Sequence, residues 1–202
     1  MLRGVVRDAR LRARVLERAE EFKLNNRASE NVWYRELVLC ILTANSSFLG
    51  AFTALQALGD LIFNGTEAEI SRVLRLSGYR FPNLKAKYIV MSRAYYGRLK
   101  EVVGRVADRD QAEARDILLD IQGLGMKEAS HFLRNVGYLD VAIIDRHIIR
   151  FFSEYMIEQR ISSRHRYLEL ESILRSIAEA LGIRVGILDL YIWYLKTGKV
   201  AK

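Results

Sequence analysis

The sequence predicts an all-α protein, and three observations carry that reading. Apolar residues recur at three- and four-residue spacing along nearly the whole chain, and no segment sustains the alternation of a half-buried strand. The single proline and several glycines stand where helices would begin or end. Val5, Ala9, Leu16, Ala19 and Phe22 mark a first helix. Residues 32–42 and 48–63 read as two more, the second closing at Asn64-Gly65. Thr66 and Glu69 form a capping-box pair, hydroxyl and carboxylate each reaching the other's backbone amide, which opens a helix to Leu76 before Gly78. Pro82 suits a first helical turn, where its missing N–H costs nothing, and its helix should run to about Leu99. Further helices are expected at about 110–120, 126–136, 145–157, 164–181 and 185–196, with Gly137, Gly182 and Gly198 as stops. Repeats, low-complexity tracts and flexible linkers are absent, so 202 residues supply one core or two lobes sharing a cleft.

Composition removes several classes of function. Half the residues are hydrophobic and 28% are charged, the balance of a globular rather than a disordered or fibrous chain. No apolar stretch approaches the roughly 20 residues that span a bilayer. The early arginines resemble a transit peptide, but Asp8, Glu17, Glu20 and Glu21 fit an ordinary surface helix better. Cys40, the only cysteine, sits in an apolar run and reads as a buried, inert thiol. One cysteine excludes an intramolecular disulfide and a four-cysteine cluster. His131, His147 and His165 form no familiar metal spacing. The formal charge of +8 favours a polyanionic partner without identifying one. Between Arg80 and Arg105 stand seven basic side chains and one acidic one, Glu101, a count that a solvated helix face also gives.

The chemistry concentrates in residues 116–150. A helix ends near Ile121, Gly123-Leu124-Gly125 turns the chain, and a second helix begins at about Met126. Two glycines permit positive φ and close approach of another backbone. Amides exposed by the hairpin and by the following helix start would bind a phosphate without any side chain, with Leu124 anchoring the turn in the core. Taken alone, the same glycines describe a tight helix–helix turn. Lys127 falls in the first helical turn, where the macrodipole disfavours cations. Burial there would bring an amine from about 10.4 toward 7–8, the range of a nucleophile. Asp145 follows eighteen residues later, after Val141-Ala-Ile-Ile144 and just before a helical run. It reads as an N-cap, and a capping carboxylate stays ionised and fixed in direction, so cap and catalyst are compatible roles.

Gly123-Leu-Gly125-Met-Lys127, with Asp145 in Ile-Ile-Asp-Arg-His, resembles the signature of the helix-hairpin-helix DNA glycosylase superfamily. Cys40-Ile-Leu-Thr-Ala-Asn45-Ser46-Ser resembles that superfamily's segment beside the cleft, which enters the gap left by a flipped base. The likeness spans about residues 32–150. It implies an all-α helix-hairpin-helix glycosylase fold with two helical lobes flanking a cleft: residues 1–30 with 145–202 in one, residues 31–144 in the other. An endonuclease III relative would carry a four-cysteine cluster that this chain cannot build, and the amino-terminal β-domain of the eukaryotic 8-oxoguanine enzyme is missing. The chain is most similar to the compact 8-oxoguanine glycosylase/lyase family found chiefly in archaea.

That resemblance implies a function. Lys127 would attack C1′ of an extruded nucleotide, since the carbon is out of reach inside a stacked duplex. Asp145 would stabilise the cationic sugar, and β-elimination would proceed from the Schiff base. Gly123 and Gly125 would hold the DNA backbone, while Asn45 and Ser46 would line the base gap. Trp193 and Phe81 would stack on the base, and the carboxylate of Lys202 would accept the N7 proton that distinguishes 8-oxoguanine from guanine. No metal, flavin or nucleotide cofactor is expected, although the family allows a monovalent cation on the hairpin carbonyls. The expected partner is double-stranded DNA containing a damaged base, bound by a cytoplasmic, nucleoid-associated monomer with no membrane contact. An oxidised-pyrimidine glycosylase/lyase, a non-catalytic helix-hairpin-helix DNA-binding protein and a helical adaptor stay open as alternatives.

Overall fold

A computed structural model describes residues 2–155 and 161–200. Thirteen α-helices and no strand occur among these residues. The expected first helix is two, α1 (Leu2–Arg7) and α2 (Ala9–Arg27). The break falls at Asp8, whose carboxylate accepts the Leu11 amide at 2.7 Å, as a capping residue does. The apolar stripe of α2 also differs from the expected one. Leu11, Val15, Ala19 and Phe22 are buried, whereas Leu16 is 51% exposed and Ala9 faces water. Val15 takes the core position, and the next residue is rotated about 100° away from it.

Helix α3 (Glu30–Thr43) is buried without a break from Glu36 to Thr43. Ser47 caps α4 (Phe48–Leu58) by accepting the Gly50 amide at 3.1 Å. The helix expected to reach residue 63 stops there, because Gly59 adopts φ +52 before the short α5 (Leu61–Asn64). Both halves of the capping box form at α6 (Glu67–Leu76): the Glu69 amide donates to the Thr66 hydroxyl at 3.2 Å, and the Thr66 amide to the Glu69 carboxylate at 2.7 Å. Helix α7 (Pro82–Ser92) stops short of Leu99. A 3₁₀ turn, Arg93–Tyr95, and a π-helical turn, Lys100–Gly104, lead into α8 (Arg105–Ala107). Two long-range contacts impose that interruption. The Arg93 guanidinium donates to the carbonyls of Leu61, Ile62 and Gly65, and the Glu30 carboxylate accepts the amides of Leu99 and Lys100. Asp110 caps α9 (Gln111–Leu118), and α10 spans Met126–Asn135.

The remaining helices are α11 (Arg146–Ser153), α12 (Arg164–Ala180) and α13 (Val185–Thr197). The helix expected over 145–157 already ends at Ser153, where the Glu154 and Tyr155 amides turn back to the Phe151 and Phe152 carbonyls; residues 156–157 lie outside the described residues. Two compact units result: a central one, Ala28–Phe132, and a terminal one, Met1–Arg27 with Leu133–Lys202. Their second boundary precedes the position of 144 drawn from sequence, for a physical reason. Leu139 packs into the terminal core with Leu11, Val15, Phe22, Leu190 and Tyr191, and its carbonyl accepts the Gly186 amide at 2.9 Å. The Asn25 and Asn26 side chains hold the carbonyls of Asn135 and Val136 at 3.0 and 2.9 Å. No described helix is long and apolar enough to cross a membrane.

Candidate active site

In the central unit the chain leaves α9 through a tight turn closed by the Leu124 amide on the Ile121 carbonyl at 3.1 Å. Gly123 takes φ +96, and a β-carbon there would lie 2.7 Å from the Tyr88 ring. Both facts require glycine: one concerns the backbone, the other the space. Leu124 is buried, as an anchor for the hairpin should be. The carbonyl of Gly125 accepts the Ala129 amide at 2.9 Å, starting the hydrogen-bond ladder of α10. Its own N–H donates to Glu128 Oε2 at 3.3 Å, so an acidic side chain holds one of the amides that sequence assigns to a phosphate. Lys127 stands in the first turn, its Nζ 2.9 Å from Glu128 Oε1 and its side chain 32% exposed. Sequence reasoning missed Glu128, although its place three residues after Gly125 is where a carboxylate reaches back to a helix start.

A depression of about 430 Å³ in this unit is lined by Asn45, Phe81, Lys85, Tyr88, Gly123 and Glu128, among others. Asn45 (φ +62) and Phe81 (φ +64) are the described non-glycine residues with positive φ, and both border it. Left-handed backbone is unfavourable for a bulky residue and collects where geometry serves a site. Phe81 precedes Pro82 at the start of α7, is 43% exposed, and lies under the Arg80 guanidinium at 4.6 Å. Lys85 is buried, and Nζ donates to the Ile41 carbonyl at 2.5 Å. Burial lowers this amine to about 8, with Glu128 opposing the shift and Lys127 adding to it.

In the terminal unit Asp145 caps α11. Its Oδ1 accepts the amides of His147 and Ile148 at 2.8 and 3.0 Å, so a single oxygen does the capping. The backbone leading to it is braced from α12. Tyr167 Oη donates to the Ala142 carbonyl at 2.8 Å and accepts the Ile144 amide at 3.1 Å, while Glu171 accepts the Ala142 amide at 2.6 Å. The His147 ring lies 4.2 Å from that of the half-buried Trp193. Burial lowers the His147 pKa against the opposing pull of Asp145, which favours neutral imidazole. Because Nε2 accepts from Arg146 Nε at 3.3 Å, Nδ1 carries the proton, and that buried atom has no partner among the described residues. A lone histidine without metal spacing gave no signal in the sequence beyond its place two residues after Asp145. On α13, Asp189 is buried and ion-paired with Arg134. Burial pushes its carboxyl up to about 7 against that arginine's pull, and Asp145 adds to the rise.

Asn45, Phe81, Gly123 and Gly125 therefore border one depression, with Ser46 next in the chain and Lys127 paired to the lining residue Glu128. Asp145 and Trp193 both adjoin His147 in the other unit. Lys202 lies outside the described residues. Among the described residues no group of three or more His, Cys, Asp or Glu side chains is placed to hold a metal.

Residues 15–183 match the family model described as 8-oxoguanine DNA glycosylase. A Metallosphaera sedula protein named 8-oxoguanine DNA glycosylase/AP lyase is 75% identical over 202 residues, covering all of both chains. The crystal structure of the Methanocaldococcus jannaschii 8-oxoguanine glycosylase/lyase, in complex with a 15mer DNA containing 8-oxoguanine, is 40% identical. It superposes with a TM-score of 0.91 over 98% of this chain and 96% of that one. The Thermotoga maritima 8-oxoguanine DNA glycosylase gives 0.90 at 38% identity, over 100% of this chain and 98% of that one.

Proposed function

This chain belongs to the 8-oxoguanine DNA glycosylase family, and from that premise we propose that it excises 8-oxoguanine from duplex DNA and then cleaves the strand at the abasic site. The observation that carries the reading is the hairpin Gly123-Leu124-Gly125 opening directly into the helix turn of Lys127, the arrangement that holds a phosphate beside a nucleophile. Lys127, as free amine, attacks C1′; the bond from C1′ to N9 breaks, and the base leaves with a proton. The sugar ring opens to a Schiff base on Nζ, and loss of the C2′ proton expels the 3′ phosphate. Asp145 is suited to the cationic sugar, since both capping bonds fall on Oδ1 and the second carboxylate oxygen takes no part in the cap. Asn45 and Ser46 fill the space the nucleotide vacates, and Trp193 and Phe81 offer flat faces for the extruded base.

These steps use the chain's own residues and no redox group. A monovalent cation at the hairpin belongs to the same proposal: the Ile121 carbonyl accepts the Leu124 amide and retains a lone pair. The partner is damaged duplex DNA, met by a monomer in the cytoplasm at the nucleoid. The test is incubation with duplexes that each carry one defined lesion, then resolution of the cleaved strands. Cleavage at 8-oxoguanine well above thymine glycol supports the reading. The reverse preference would assign the chain to oxidised pyrimidines, and binding without cleavage would leave only a DNA-binding module.

A further inference from the structure

The C-terminal carbonyls of α3 are each taken by a group outside the helical ladder. The Thr43 hydroxyl donates to the Cys40 carbonyl at 2.9 Å, Lys85 Nζ to Ile41 at 2.5 Å, Tyr79 Oη to Leu42, and the Ser46 amide to Thr43 at 3.1 Å. A helix end leaves these acceptors unmatched, and its partial negative charge favours an ammonium. Helix α3 runs out directly into the turn 44–46, carrying Asn45 at φ +62. The same stretch of α7 reaches the hairpin. Tyr88, three residues after Lys85, lies 2.7 Å from where a β-carbon on Gly123 would stand, and Ile41, whose carbonyl Lys85 holds, lies 3.4 Å from it.

We propose that Lys85 is a positioning residue: its buried ammonium ties the end of α3 to α7 and so fixes where Asn45 stands relative to the hairpin Gly123–Gly125. This rests on the reading of Asn45 as the residue that enters the base gap. A lysine buried to 3% exposure carries a desolvation cost, visible in its lowered pKa, that an apolar side chain would avoid. The location gives the charge a use, because an apolar residue cannot hold the Ile41 carbonyl. Tyr79 acts on the adjacent carbonyl, and burial pushes its phenol up to about 12, so it stays a donor throughout the working range. With Nζ donating to the Ile41 carbonyl, Lys85 is assigned a role exerted through the turn.

The experiment uses a duplex with 2-aminopurine next to 8-oxoguanine, whose fluorescence rises when the base is unstacked. Lys85→Met should slow that rise and single-turnover excision together, by at least tenfold. Affinity for undamaged duplex should stay within about twofold, and cleavage at a preformed abasic site, where no base must be displaced, should fall far less than excision. Tyr79→Phe, which removes only a hydroxyl, should show the same pattern and serves if Lys85→Met does not fold. A double variant with Asn45→Ala should be no slower than Asn45→Ala alone, since both changes disable one step. Extrusion at the wild-type rate in both single variants, additive effects in the double variant, or an equal loss of abasic cleavage would overturn the proposal. Failure of the wild-type protein to excise 8-oxoguanine would instead overturn the proposed function.

Discussion

Asp145→Asn separates two duties that sequence alone merges. Both capping bonds fall on Oδ1, from the amides of His147 and Ile148 at 2.8 and 3.0 Å. An asparagine presents a carbonyl oxygen to the same two donors, and Asn and Asp cap almost equally well, so stability should change by only about 0.3 kcal/mol. For a chain of this size that is a shift of about 1 °C in melting temperature. The charge, by contrast, is lost entirely. Removing an electrostatic group aimed at a developing charge typically slows the step by about a hundred- to a thousandfold, or roughly 3–4 kcal/mol. The rate effect should therefore exceed the stability effect by an order of magnitude. Asp145→Ala provides the control: it removes cap and charge together and should lower the melting temperature by about 2–4 °C for about 1 kcal/mol. The assay is single-turnover release of 8-oxoguanine with enzyme in excess, beside thermal unfolding of each variant. Excision by Asp145→Asn within threefold of wild type would reduce the residue to a helix cap.

Three further perturbations probe the geometry. Gly123→Ala places a side chain at φ +96 and within 2.7 Å of Tyr88. Strain and overpacking together should cost about 2–4 kcal/mol; filter binding should show affinity falling alike for damaged and undamaged duplexes, and a selective loss of lesion discrimination would contradict the hairpin's role. Tyr167→Phe strips the brace from Ala142 and Ile144 ahead of Asp145, so excision should fall more than DNA affinity; unchanged excision would show the brace is only structural. Lys85 titrates at about 8 in the fold against about 10.4 in an unfolded chain, so its burial penalty is complete below pH 8 and lifts as pH rises toward 10. Chemical denaturation across that window should therefore show wild-type stability climbing relative to Lys85→Met, and parallel curves would refute the assignment.

The helices were legible because apolar periodicity is local, and so was the capping box at Thr66 and Glu69. The breaks at Gly59 and after Ser92 were not. The second depends on Arg93 meeting carbonyls about thirty residues upstream and on Glu30 meeting Leu99 and Lys100, pairings that no window of sequence contains. Leu16 misled for a related reason: beside Val15 it is equally apolar, and only packing decides which faces inward. Spacing and motif singled out Lys127 and Asp145. The same motif reading passed over Lys85, which counted only as one of seven basic side chains between Arg80 and Arg105. Internal bonding removes it and Arg93 from that tally, because both spend their charge on backbone carbonyls. Charge read along a chain cannot distinguish a surface cation from one that holds a helix end.

The most direct measurement of the central claim is the site of the covalent adduct. Sodium borohydride added during turnover on an 8-oxoguanine duplex reduces the Schiff base, and peptide mass spectrometry then locates the modified amine. The adduct is predicted on Lys127, with none formed by Lys127→Gln although that variant still binds DNA. An adduct on Lys85 or the amino terminus, or undiminished trapping by Lys127→Gln, would contradict the assignment of the nucleophile.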